Sequence, residues 1–212
     1  MNYTSSPAKV TRPVLADVLR RERLFKQIDS YRSRPITWVA GPAGSGKTVL
    51  VSSYLENRKL PCLWYRIDQG DNDPATFFYY LGQAAKVAVP RKRKPLPLLA
   101  PEYLPGLEEF TFRYFEDLFN RLKSPFYIVF DDYQELSESS LLHSVIRNGL
   151  TRLPQGINVM FVSRHDPLPG FSRLRASRDL GQLGGEDLKL TLEEFTTILK
   201  MTGQTAIGLK TH

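Results

Sequence analysis

Short apolar runs rich in β-branched and aromatic residues recur at Ile36–Ala40, 62–67, 126–130 and 158–162, and each reads as a strand. Between them, apolar positions fall at helical spacing over Lys47–Asn57, 74–87, 107–122 and 139–153, with a further helix predicted over 15–28, ahead of the first strand. The run at 126–130 is almost wholly apolar, as expected for the middle of a parallel sheet covered on both faces. Strands and helices alternating at these lengths predict an α/β fold: a doubly wound, mostly parallel sheet with flanking helices. Residues 1–11 are polar and patternless and read as a flexible N-terminal arm. Residues 12–189 read as the domain proper. At 190–195 an N-cap and the acidic residues Glu193 and Glu194 start a helix reaching at least Lys200. Little patterning comes after it, so residues 190–212 read as the start of a truncated helical lid subdomain.

A chain of 212 residues, 42% of them hydrophobic, can bury a sizeable core in one domain. The first nine residues lack a signal-peptide core and no apolar run reaches the ~18 residues a membrane helix needs, which predicts a cytoplasmic protein. The single cysteine, Cys62, sits in an apolar run and reads as a buried, inert thiol, with no metal–thiolate site. The net charge of +7 raises a nucleic-acid reading, but the one dense basic run, Arg91-Lys92-Arg93-Lys94, lies in a proline-rich stretch over 90–105 without interleaved aromatics. It reads as an extended, solvated surface loop.

Residues 41–48 are Gly41-Pro42-Ala43-Gly44-Ser45-Gly46-Lys47-Thr48, which meets G-x-x-x-x-G-K-[ST] at every fixed position between a predicted strand and helix. The glycines let backbone N–H groups turn toward nucleotide phosphates, and the helix N-terminus adds a favourable dipole. This predicts a P-loop NTPase that binds ATP or ADP through the loop and the following Val49. Lys47 would neutralise the β- and γ-phosphates and the Thr48 hydroxyl would ligate Mg²⁺. The strand at 126–130 runs into Asp131 and Asp132. Asp131 is the candidate second holder of Mg²⁺; Asp132 either orients the attacking water or caps the next element. Arg164, after the fourth strand, is a candidate γ-phosphate sensor or else a surface arginine. His143, His165 and His212 read as structural or exposed.

The loop, the segment Trp64-Tyr65-Arg66-Ile67-Asp68-Gln69-Gly70-Asp71-Asn72-Asp73-Pro74, the strand Val129-Phe130-Asp131-Asp132-Tyr133 and the pair Ser163-Arg164 together resemble the nucleotide-binding domain of MalT-type STAND ATPases, the large LuxR-type bacterial transcription regulators. The resemblance implies a nucleotide switch in signal transduction. It implies adenine contacts from Pro13, Val14 and Arg23, which as plain sequence also fit a helix packed on the sheet. For a full-length protein it implies a small-molecule inducer, promoter DNA and self-association. The family's Gly-Trp-Pro lid motif, winged helix, repeat sensor and helix-turn-helix have no counterpart in these residues, so slow or undetectable hydrolysis and no DNA binding by this chain alone are expected. Other classes compatible with the loop are a nucleic-acid-stimulated motor, a small-molecule kinase and a scaffold holding ADP permanently.

Overall fold

Successive side chains along a strand point to opposite faces, and here both faces are apolar. The computed structural model describes residues 8–92, 94–171 and 176–201. Its centre is a five-stranded, all-parallel sheet in the order β2-β3-β4-β1-β5, with β1 Ile36–Ala40, β2 Cys62–Arg66, β3 Phe126–Asp131, β4 Ile157–Ser163 and β5 Leu180–Leu183. The helices are α1 Glu22–Ser30, α2 Lys47–Asn57, α3 Pro74–Ala88, α4 Leu107–Phe119, α5 Leu142–Gly149 and α6 Leu192–Met201.

Alternation divides the core in two. Trp38, Leu63, Tyr65, Ile128, Phe130 and Phe161 lie in one apolar cluster with residues of α3, α4 and α5. Val39, Trp64, Tyr127, Val129, Met160 and Val162 lie in the other with Leu24, Phe25 and Ile28 of α1 and Leu50, Val51, Tyr54 and Leu55 of α2. Because Tyr127 and Val129 face α2, the same period of two brings Asp131 to the α2 side. The sheet thereby aims one buried carboxylate at the helix that begins with Lys47.

Three expectations are corrected, and one strand is added. The helix predicted over 15–28 starts only at Glu22, and residues 12–21 are irregular, with Pro13 O accepting from Ser52 of α2. Residues 8–11 are not a loose arm: Val10 is buried in the core, and Lys9 Nζ pairs with Asp71 at 2.8 Å and with Asp68 at 2.6 Å. The rest of that predicted arm lies outside the described residues, as do 202–212 of the predicted lid and His212. The proline-rich stretch is anchored as well as extended, since Leu96 and Leu99 are buried in the cluster with α3 and α4, and Arg121 binds the carbonyls of Lys94 and Pro95. The short edge strand β5 has no predicted counterpart. Among the described residues, no helix is long and apolar enough to cross a membrane.

Candidate functional site

β1 ends in Ala40 and the chain turns through Gly41 to α2 at Lys47, so the glycine-rich loop caps the carboxyl end of the sheet. Gly44 and Gly46 have φ of 76° and 79°, the left-handed region that costs a side-chain-bearing residue ~1–2 kcal/mol. A Cβ at either would meet no atom within 4 Å, so backbone conformation rather than crowding calls for glycine there. Lys47 Nζ folds back on its own loop, donating to Gly41 O at 2.7 Å and Pro42 O at 2.8 Å. Partial burial lowers the Lys47 pKa, the Arg164 charge lowers it further, and the Asp132 and Asp131 carboxylates oppose both. Groups at the start of α2 and at the carboxyl ends of β3 and β4 therefore share one field.

Thr48 Oγ1 donates to Asp131 Oδ1 at 2.9 Å, with Oδ2 at 3.2 Å. Asp131 is 2% exposed. Burial first, and the neighbouring Asp132 charge second, raise its pKa to about 6, against the hydrogen bonds from Thr48 and the Asp132 N–H. A buried carboxylate with a raised pKa beside a helix N-terminal hydroxyl fits a cation that would replace the missing solvation. Among the described residues no cluster of three or more His, Cys, Asp or Glu could enclose a metal. Mg²⁺ does not require one, since it commonly takes one or two protein ligands and completes its shell with water and phosphate oxygens.

Asp132 adopts a left-handed backbone, φ 54° and ψ 40°, and its side chain makes no capping hydrogen bond to the next turn. Instead Oδ2 accepts from Arg66 Nε at 2.7 Å and Oδ1 accepts from Gln134 Nε2 at 3.0 Å. Gln134 Oε1 in turn accepts from the Arg164 backbone N–H at 3.0 Å. Arg164 lines a small charged hollow with Lys9, Arg66, Asp132 and Glu135. His143 is structural: burial lowers its pKa, one ring nitrogen lies 2.9 Å from Tyr133 Oη and the other donates to Ser137 O at 2.9 Å. The His165 carbonyl accepts from Trp38 Nε1. Cys62, with its pKa raised by burial, is half-buried at the start of edge strand β2 rather than fully enclosed.

Beside the loop opens a mostly apolar cavity of about 620 Å³, whose walls include Val18, Leu19, Val49, Leu188, Ile198 and Met201. Of the expected adenine contacts, Pro13, Val14 and Arg23 are not in its lining. The Pro13 carbonyl accepts from Ser52 Oγ at 2.9 Å, Val14 is 96% exposed, and Arg23 donates to Asp187 O at 2.9 Å. The irregular run after Val14 does reach the cavity, where the half-buried Val18 and Leu19 form part of the wall. Arg21, which also lines the cavity, is 8% exposed and binds Lys189 O and Glu194 Oε2, each at 2.9 Å. Among the described residues its Nε is the buried side-chain polar atom without a partner. Glu194 also closes a capping box at the start of α6: its carboxylate accepts from Thr191 N at 3.1 Å while its own N–H donates to Thr191 Oγ1.

Gln134 and Arg21 have no motif signal of their own, and Arg66, though inside the 64–74 segment that carries the family resemblance, is given no role by it. A lone arginine at a strand end is locally featureless, although Arg66 stands at the carboxyl end of a parallel strand, where open α/β sheets bind ligands.

Residues 16–164 of the chain match the nephrocystin 3 N-terminal family. The chain belongs to that family. The family match takes in the glycine-rich loop, Arg66, Asp131, Asp132 and Gln134 and ends at Arg164, while Lys9 of the charged hollow lies before it. The chain is also 30% identical over 193 residues to the HTH-type transcriptional regulator MalT of Cronobacter sakazakii, covering 89% of this chain and 21% of the regulator. Against MalT of Serratia proteamaculans it is 30% identical over 190 residues, with the same shares. The chain thus spans about a fifth of the length of these relatives. A Walker-type ATPase of Pyrococcus abyssi superposes with a TM-score of 0.53 at 16% identity, over 90% of this chain and 60% of that one. A STAND protein with a tetratricopeptide repeat sensor from Pyrococcus horikoshii gives 0.52 at 17%, over 91% and 29%. The fold of this family member is that of a P-loop NTPase, and its sequence kinship reaches the MalT-type regulators.

Proposed function

We propose that this chain is an ATP- and ADP-binding switch domain that hydrolyses ATP slowly, and that it serves a signal-transducing transcriptional regulator. The observation that carries the reading is the Thr48–Asp131 hydrogen bond, which joins the glycine-rich loop to a buried carboxylate two strands away, next to an apolar cavity. The N–H groups of residues 43–48 would hold the phosphates. Lys47 would exchange its bonds to the Gly41 and Pro42 carbonyls for phosphate oxygens. The cavity would take the base on Val49, Leu188 and Ile198, where the unpaired Arg21 Nε–H offers a donor to a ring nitrogen. Thr48 and Asp131 are the residues that would hold Mg²⁺, which when bound neutralises charge on the phosphates. Asp132 stands as the group that orients a water, and Arg164 as the group that distinguishes a triphosphate from a diphosphate. Inducer binding, promoter recognition and self-association belong, in this reading, to parts of a longer protein.

The deciding measurement is calorimetric titration of ATP and ADP, with and without Mg²⁺, into the wild-type chain and Lys47→Ala. Wild type should bind both, and the variant should lose tenfold or more in ATP affinity and less in ADP affinity, since charge-assisted bonds to the terminal phosphates are the ones removed (about 1.4 kcal/mol per tenfold). Equal ATP affinity in a variant that melts like wild type would defeat the assignment.

A further inference from the structure

The carboxylate of Asp132 is more tightly specified than a strand-end aspartate needs to be. Its two oxygens are taken by side chains from two different places, Arg66 at the end of β2 and Gln134 in the turn after β3. We propose that Arg66 and Gln134 are positioning residues for Asp132, fixing the direction of its carboxylate for the reaction at the glycine-rich loop. The proposal rests on the hydrolytic reading and names residues that the reading does not use.

Stability does not account for the arrangement. The Arg66 side chain is 62% exposed, and an ion pair so open to water contributes little to folding. Asp132 meanwhile holds a left-handed backbone conformation that disfavours any residue with a Cβ, and its side chain satisfies no backbone group of the next turn. A strained backbone retained for a weak surface pair makes sense if the carboxylate's direction matters. Gln134 reinforces this. Its amide nitrogen donates to Asp132 while its amide oxygen accepts from the backbone of Arg164, so one side chain sets the spacing between the two residues proposed to act at the terminal phosphate. The pairing register brings the three strand ends level, with Arg66 opposite Asp131 and Phe130 opposite Phe161. Each carboxylate oxygen keeps a second lone pair, so Asp132 can accept from a water without surrendering either partner. Groups held in this way need no reorganisation as the reaction proceeds, which is where positioning acts on rate.

The test is single-turnover hydrolysis of γ-labelled ATP by the whole chain, with ATP affinity measured in parallel, for Arg66→Ala, Arg66→Lys, Gln134→Ala, Asp132→Asn and the double variant Asp132→Asn/Arg66→Ala. Expected are a roughly tenfold fall in rate for Arg66→Ala and Gln134→Ala with ATP affinity within about twofold, and partial recovery in Arg66→Lys. No further fall should appear when Arg66→Ala is added to Asp132→Asn, because a residue acting through another adds nothing once that other is gone. Unchanged rates in both alanine variants, or a loss that adds fully to that of Asp132→Asn, overturn the proposal while leaving ATP binding intact. A wild-type chain that binds ATP yet releases no phosphate over many hours overturns the hydrolytic reading and this proposal together, whereas a chain that does not bind ATP sinks the nucleotide reading at its root.

Discussion

Replacing Asp131 by asparagine should make the nucleotide-free chain more stable at alkaline pH, not less. Burial and the adjacent Asp132 raise the Asp131 pKa from its ordinary 3.8 to about 6, so the folded state favours the protonated acid. Stability from that preference is complete below pH 3.8 and is lost as pH climbs through 6. Roughly two pH units at ~1.4 kcal/mol each put the cost of the ionised carboxylate at ~3 kcal/mol by about pH 8. Asparagine keeps the shape and an oxygen for the Thr48 hydroxyl and the Asp132 N–H, and carries no charge. Its own buried amide offsets part of the gain, leaving about 1–3 kcal/mol. Urea denaturation with EDTA at about pH 8, 6 and 4.5 should show the variant ahead at the alkaline end and level with wild type at the acid end. With ATP present, Mg²⁺ should stabilise wild type and leave the variant unmoved. An asparagine variant less stable than wild type under alkaline conditions, or an advantage independent of pH, would refute the account of a carboxylate held in waiting for a cation.

Two further substitutions probe the scaffold. Gly46→Ala should cost about 1 kcal/mol by urea midpoint, the backbone penalty alone, because its Cβ would meet nothing within 4 Å; a loss of several kcal/mol would mean the loop is crowded after all. Lys9→Met should cost roughly 3 kcal/mol, since it strands the fully buried Asp71 carboxylate with only the Tyr65 hydroxyl and the Asp68 N–H; a change under ~0.5 kcal/mol would show that the pair is ornamental.

Features set by local pattern were legible in the sequence. α2 has the bounds that its spacing predicts, and the alternating apolar strands fix which face Asp131 joins. β5 was hidden because Leu180-Gly181-Gln182-Leu183 holds two apolar residues and a glycine, and becomes a strand only by pairing with β1. The misplaced start of α1 has a related cause. Val18 and Leu19 keep helical spacing with the apolar residues of α1, yet they are only half-buried and line the cavity from an irregular run, so periodicity marked apolar positions and missed their geometry. The hydrogen bonds of Arg66 and Gln134 to Asp132 join the end of β2 to the turn after β3, a relation that one-dimensional spacing does not carry.

The cavity beside the loop is a joint more than a pocket. The glycine-rich loop and the start of α2 give it one wall; the others come from residues 17–21 and from 185–201, near the two ends of the described chain, clasped by Arg21 on Glu194 and Lys189 O across more than 160 residues. Its volume therefore exists only while those distant segments stay docked, and fraying of α6 would erase the walls formed by Ile198 and Met201. In the nucleotide-binding reading proposed above, filling the space and closing the clasp would share one free energy, and loosening either segment would register as lost affinity at the loop.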